Sequence, residues 1–346
     1  MMSRFGRRVT DTNVTATLTR SRARVGADAA FSLPRNCLAN KPLKHSAVVV
    51  ALVLLGGPVA FVAPARATFP GRNGRIAFLR EHDPGGQTIE TVKPSGRARR
   101  TLAKDATDPG FSADGRLIVF ARFGGGHPGL WVMRSDGSHK HHIPSKRDDF
   151  HPRFSPDGRK IVFERAPSAN HEVWLTDVNG HHRHRISSTG SWSNASFSPG
   201  GKRLVFEGPD FQIWVAKANG ANAHAITHAS DPGPGPYPAN EPDWAPDGKT
   251  IVFHYNDVAT SGEDYLQSVR PDGSHRHLIV ADPRGFWGPV FSPDGKLIAF
   301  RRGGGKSTRI WVIHRDGSHP RQLTFGTSSD WDGEPLSWQP LPRHRH

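Results

Sequence analysis

The stretch Pro152-Arg-Phe154-Ser-Pro-Asp-Gly158-Arg-Lys-Ile-Val-Phe163 decides the fold, because it does not occur only once. Its centre, an aromatic followed by Ser-Pro-Asp-Gly or a near variant, recurs as Phe111-Ser-Ala-Asp-Gly115, Phe197-Ser-Pro-Gly-Gly201, Trp244-Ala-Pro-Asp-Gly248 and Phe291-Ser-Pro-Asp-Gly295. A basic residue and an apolar strand follow, ending in Phe78, Phe120, Phe163, Phe206, Phe253 and Phe300, at separations of 42, 43, 43, 47 and 47 residues. A period of this length marks a repeat architecture, in which each unit buries a face only against its neighbours.

A second turn follows each Phe: Ser95-Gly96, Asp136-Gly137, Asn179-Gly180, Asn219-Gly220, Asp272-Gly273 and Asp316-Gly317. Asn-Gly and Asp-Gly favour two-residue hairpins with both central residues at positive φ. Before it comes an apolar–aromatic–apolar strand such as Leu130-Trp131-Val132, Val173-Trp174-Leu175, Ile213-Trp214-Val215 or Ile310-Trp311-Val312, with Glu90 and Gln267 replacing Trp in two copies. An apolar residue recurs after the turn at Ile143, Ile186, Ile226, Ile279 and Leu323. Four short strands per repeat make one propeller blade. The first copy begins at Gly74 and lacks its own aromatic-Ser-Pro strand, while Pro335-Leu-Ser-Trp338-Gln-Pro340 stands orphaned at the other end. The expectation is an all-β, six-bladed β-propeller of four-stranded blades over residues 68–346, its ring closed by the C-terminal strand pairing into the first blade.

The repeated phrase resembles that of the TolB-type WD-like β-propeller family, most closely at Pro152–Phe163 and Pro289–Phe300. The resemblance spans about residues 69–342. It implies an exported or periplasmic propeller which, in TolB itself, docks a lipoprotein partner over its channel. TolB has an additional α/β domain before its propeller, which the residues preceding Phe69 are not expected to supply. The same repeat also occurs beside serine peptidases and in some polysaccharide lyases, so the resemblance is specific for fold and weak for activity.

Composition agrees with many short strands: the chain is 35% hydrophobic, with 37 Gly and 29 Pro. The formal charge of +15 is uneven, since residues 1–67 hold 10 Lys/Arg against 2 Asp/Glu, leaving +7 on the remainder. Those cations are scattered through turns and strands without the dense stripe that nucleic-acid binding requires, so no nucleic-acid partner is expected. Cys37 is the single cysteine and lies in the leader, so the domain has neither disulfide nor thiolate site. Residues 1–67 read as a leader. Lys41 and Lys44, the apolar run Ala47–Leu55 resuming at Val59–Ala63, and Ala65-Arg66-Ala67 form a secretory signal over 40–67. Gly56-Gly57-Pro58 interrupts the run below the length of a spanning helix, so no stable membrane span is expected after cleavage. Residues 1–40 are a long basic n-region or a mis-assigned start. Localisation follows as exported: periplasmic, cell-surface or secreted.

Enzymatic motifs are missing. Gly303-Gly-Gly-Lys306-Ser307 lacks the upstream glycine and the helix of a phosphate loop, and neither a Gly-x-Ser-x-Gly elbow nor a His-Glu-x-x-His pair occurs. No cofactor is expected. Histidines at His139/His141, His182/His184 and His275/His277, with His224 and His319 as single equivalents, sit at i and i+2 after the second turn, where a strand would aim both rings to one side. A metal needs a third ligand, so these pairs read as solvated polar positions and no metal site is assigned.

The loops leading into the innermost strands gather at one channel mouth. They carry Asp105, Asp108, Asp148, Asp149, Glu241, Asp282, Asp330, Asp332 and Glu334, with the aromatics Phe150, Trp192, Tyr237, Trp287 and Trp331 and with His151 beside the acids. Acids of this kind also cap turns and aromatics also wedge between blades; as a set they describe an acidic, aromatic-lined funnel suited to a protein or sugar partner. The Gly/Pro-rich insertion Asp231–Asn240 lies over the same mouth. The reading is a monomeric, non-enzymatic binding module for an envelope or extracellular protein. The alternative is a carbohydrate-binding or lyase propeller with His151 as general base.

Overall fold

The computed structural model describes residues 69–82, 86–123, 126–146, 149–167, 171–187, 191–228, 239–257, 263–303, 308–326 and 336–342, all within the unit Phe61–His346. The leader and the expected signal lie outside them. Among the described residues no helix is long and apolar enough to cross a membrane.

Strands β1 (Arg72–Glu81), β2 (Gln87–Val92) and β3 (Arg100–Lys104) open the chain order. Blade two holds β4 (Thr107–Phe111), β5 (Leu117–Arg122), β6 (Gly129–Arg134) and β7 (His141–His142); blade three holds β8 (Asp149–Phe154), β9 (Lys160–Arg165), β10 (Glu172–Asp177) and β11 (His184–Arg185). Blade four holds β12 (Ser193–Phe197), β13 (Arg203–Glu207), β14 (Ile213–Lys217) and β15 (His224–Ala225). Blade five holds β16 (Ala239–Trp244), β17 (Ile251–Asp257), β18 (Glu263–Val269) and β19 (His277–Asp282), and blade six β20 (Phe286–Phe291), β21 (Leu297–Arg302), β22 (Arg309–His314) and β23 (Arg321–Gln322). The last strand, β24 (Ser337–Leu341), pairs antiparallel with β1, so blade one has the order β24-β1-β2-β3. Six blades therefore close into a ring through the C-terminal strand.

The repeated aromatics explain the packing. Phe120, Phe163, Phe206 and Phe300 stand opposite Trp131, Trp174, Trp214 and Trp311 on the next strand. These strands run on beyond the Phe, for two residues in β5, β9 and β21. Apolar residues from facing sheets of adjacent blades make each core: Val162, Val173 and Leu175 of blade three meet Phe197, Leu204 and Phe206 of blade four. The closing contact is of the same kind, with Ile76, Phe78 and Val92 against Ala299, Ile310 and Val312, and with Leu336 and Trp338 sealed into it. Gln339 fastens the seam by accepting from Arg75 N at 3.1 Å and donating to Gly115 O at 2.8 Å, and Ser337 Oγ accepts from Phe111 N at 2.9 Å.

Within a meander of four antiparallel strands, the first and third connections fall at one end and the others at the opposite end. The Ser-Pro-Asp-Gly and Asp-Gly turns therefore share a turn face, and the blade-to-blade loops share the opposite mouth. In the first turn, Ser155 Oγ donates to Asp157 Oδ1 at 2.6 Å and accepts from Lys160 N at 2.9 Å, while Gly158 sits at φ 68°. The second turn departs from the two-residue hairpin that its sequence suggests. Only the glycine takes positive φ (89° at Gly137), Gly137 N donates to Arg134 O and Arg134 N to Ser138 O. This is a three-residue loop in which a turn is followed by a left-handed glycine bulge.

Candidate functional site

The innermost strands β4, β8, β12, β16, β20 and β24 surround the axis. Near the loop end, five of them break register against the second strand, between Thr107 and Gly110, Phe150 and Arg153, Ser193 and Ser196, Asn240 and Asp243, and Trp287 and Val290. At each break one residue is left-handed: Asp108 (φ 55°), His151 (47°), Asn194 (50°), Glu241 (52°) and Gly288 (58°). Four of these five are not glycine, so the bulges carry backbone strain that something must offset.

Carboxylates from the preceding blade supply the offset. His151 N donates to Asp108 Oδ2 (3.1 Å), Asn194 N to Glu164 Oε1 (2.5 Å), Glu241 N to Glu207 Oε1 (2.6 Å) and Gly288 N to Glu241 Oε2 (2.5 Å). Hydrogen bonds to ionised acceptors are among the stronger ones. They pass from blade two to blade six as a girdle around the mouth. Side chains thicken it: His151 Nδ1 lies 2.8 Å from Glu164 Oε1, its Nε2 is 3.4 Å from Asp108 Oδ1, and His171 Nδ1 is 3.1 Å from Glu164 Oε2. Burial pulls the His151 pKa down, but Asp108 and Glu164 outweigh it and raise the group to about 9. Burial conversely raises Glu164, and His151 with its other donors outweighs that, bringing it to about 2. His171 is raised by its bond to Glu164. Glu207 goes the other way, raised by burial, with Glu241 adding to the effect.

Not every expected mouth residue joins this girdle. Asp108, His151 and Glu241 do, and Asp105 is exposed in the adjoining loop at φ 50°. Phe150 and Trp287 are half-buried at the rim; Phe150 packs edge-on to His151 and His171, and Trp287 tilts against His254 at 6.2 Å. Three others turn inward. Asp149 is fully buried, accepting from Arg165 Nε and Nη2 at 2.6 and 2.9 Å. Asp282 is held by Arg284 at 3.0 and 3.1 Å and by Arg302; burial raises it, but these cations win and lower it to about 2. Trp192 is buried, stacked on Phe206 at 4.0 Å as an interblade wedge. Asp148, Tyr237, Asp330, Trp331, Asp332, Glu334 and most of the 231–240 insertion lie outside the described residues. Glu164, Glu207 and Asn194 belong to the girdle although no loop reading selects them. The available signal was a carboxylate placed directly after the Phe of an apolar strand, at Glu164 and Glu207.

The axis itself is narrow. His151, Asn194, Glu241 and Gly288 line a cavity of about 40 Å³, and beyond Arg153, Ser196 and Asp243 a second of about 70 Å³ ends against Phe69, Phe154 and Phe197. These volumes hold a few waters and no substrate. Among the described residues no group of three His, Cys, Asp or Glu side chains is placed to hold a metal ion. The histidine pairs after the second turn do not share a strand side either. His139, His182, His275 and His319 are left-handed turn residues (φ 53–54°), and the strand begins only after them.

The family model of the TolB β-propeller domain matches residues 73–341. The chain belongs to the TolB-type β-propeller family. Over 97 residues it is 36% identical to the Tol-Pal system protein TolB of Anaeromyxobacter dehalogenans strain 2CP-1, and over 91 residues 40% identical to that of strain 2CP-C. Each match covers 26% of this chain and 20% of the relative, so the chain spans about a fifth of the length of the curated relatives it matches. The crystal structure of TolB from Acinetobacter baumannii shares the fold at a TM-score of 0.66 and 18% identity, covering 79% of this chain and 69% of that one. In this TolB-type propeller the girdle occupies the end of the channel where the blade-to-blade loops converge.

Proposed function

We propose that this TolB-type propeller is an exported, non-enzymatic binding module of the cell envelope, and that a protein partner seats over its loop mouth. The observation that carries the reading is the polar girdle above a channel too narrow to admit a ligand: whatever binds at this end binds across it. Four bulges tied by interblade carboxylates hold the mouth rigid, which lowers the entropic cost of docking. Phe150 and Trp287 supply aromatic anchors of the type that dominate protein hot spots. The likeness to Tol-Pal system proteins agrees with an envelope assembly as the setting.

A lyase reading draws less support. A general base must be unprotonated at working pH, whereas His151, between Asp108 and Glu164, keeps its proton up to about pH 9.

The test is capture of the partner from envelope extracts by immobilised wild-type protein and by Phe150→Ala and Trp287→Ala. The expected outcome is at least a roughly ten-fold loss of the captured protein for each variant, the effect of a lost hot-spot aromatic. Thermal unfolding should stay close to that of the wild type. Capture at the wild-type level by both variants would remove the mouth as the docking site.

A further inference from the structure

The turn face carries exposed charges of both signs, with Asp114, Asp157, Asp247 and Asp294 in the first turns and Asp136, Asp272 and Asp316 in the second. The residue after each glycine of the Ser-Pro-Asp-Gly type turn is Arg116, Arg159, Lys202, Lys249 or Lys296, and all five are exposed. Part of this face is concave. Two adjoining cavities of about 530 and 580 Å³ run along the turn edges of blades four to six, sharing Thr250, Arg270 and Arg315. Five cations line them: Arg203, Lys249, Arg270, Lys296 and Arg315. Arg315 forms the floor, since its guanidinium ties blade six to blade five through Asp247 Oδ2 (3.2 Å) and Thr250 Oγ1 (2.5 Å) and lies over the Phe291 ring. The other four are exposed and make no ion pair among the described residues.

We infer that this groove binds an anionic polysaccharide, one whose carboxylates are separated by hydroxyl-bearing sugar rings. The separation matters because the groove is not uniformly positive. Asp272 and Asp316 stand among the cations, each already accepting from a serine hydroxyl and amide two residues on. Those carboxylates repel a densely charged phosphate chain but accept hydrogen bonds from sugar hydroxyls on their remaining lone pairs. Concavity also counts against a lipid headgroup plane, which cannot follow the surface inward. Ligand-sized volume, the exposed cations Lys249, Arg270 and Lys296 beside Arg203 stacked on the Trp244 ring at 4.9 Å, and interleaved acceptors together fit a threaded glycan.

The test uses the full chain, with oligogalacturonate of defined length as probe and neutral dextran as blank, titrated calorimetrically at low and high salt. Binding to oligogalacturonate alone is expected, weakening as salt screens the groove. Arg270→Glu combined with Lys296→Glu should lower affinity at least about ten-fold, because it places like charge against the ligand. Arg116→Glu combined with Arg159→Glu makes the same net change on the same face but away from the groove. It should alter affinity no more than about two-fold, since exposed charges beyond a Debye length are screened. Equal losses in the two pairs, absence of oligogalacturonate binding, or tighter binding to phosphatidylglycerol vesicles or single-stranded DNA would each overturn the inference. Both pairs leave the mouth intact, so their partner capture separates this proposal from the docking one.

Discussion

His151 concentrates the logic of the mouth in one side chain. It is left-handed, only 14% exposed, and held between Asp108 and Glu164. Its pKa is raised from 6.5 to about 9, so the stability it contributes is fully present below about pH 6.5 and is lost as pH rises to about 9. Glu164, lowered to about 2, contributes above its unfolded value near 4.5 and loses that contribution as pH falls towards 2. Thermal unfolding followed across pH should therefore show a decline from pH 6.5 to 9, on the order of a few kcal/mol. His151→Asn should be less stable at pH 6 yet flatter over that interval. An unchanged slope in the variant would mean that another group titrates. At this scale the sequence was partly legible. Asp108 and Glu241 stand on loop-proximal bulges, where a count of loop acids finds them, and His151 stands on another beside the acids of its loop. Asp149 and Asp282 look identical in such a count, but arginines on the neighbouring strand and loop draw them inward, and a one-dimensional pattern does not carry that pairing. Glu164 and Glu207 lie outside a count of loop acids altogether: each follows the Phe of a second strand and accepts from the next blade's bulge.

Turns are the element that the repeat conserves within this chain, and their chemistry was legible except for the sign of φ. Asp136 and its equivalents keep ordinary φ and only the glycine is left-handed, so the loop is one residue longer than the dipeptide implies. That extra residue is followed, two positions on, by a second left-handed one: Ala98, His139, His182, Asn222, His275 and His319 lie at φ 53–58°. Histidine and asparagine tolerate this region far better than β-branched residues, which gives the abundant turn histidines a conformational reason. His139→Asn should accordingly leave the unfolding temperature nearly unchanged, whereas His139→Val should cost about 1–2 kcal/mol. Equal effects of the two substitutions would remove the backbone explanation and leave the contact of His139 Nδ1 with Ser138 Oγ, 2.9 Å away, as the reason.

The whole molecule depends on its seam. The blade count, the four-strand unit and the pairing of the last strand into the first blade were all legible, because an orphan strand and an incomplete first repeat at opposite ends of one periodic pattern have a single economical solution. The functional identity of the two faces was less so. A net charge averaged over the domain conceals that acids gather at the loop mouth while five cations line one groove on the turn face. Closure holds both faces in place: Trp338, 4% exposed, and Leu336 sit in the core between blades one and six. Trp338→Ala should cost about 3–5 kcal/mol, the usual penalty for emptying a large aromatic site, as read by denaturant unfolding. The most direct measurement is calorimetry of a chain ending before Leu336, compared with the full-length protein. A closed ring predicts a broadened transition at markedly lower temperature, since losing β24 opens an edge of β1 and one interblade core together. A single cooperative transition at the full-length temperature would contradict closure, and with it the placement of the mouth and the groove.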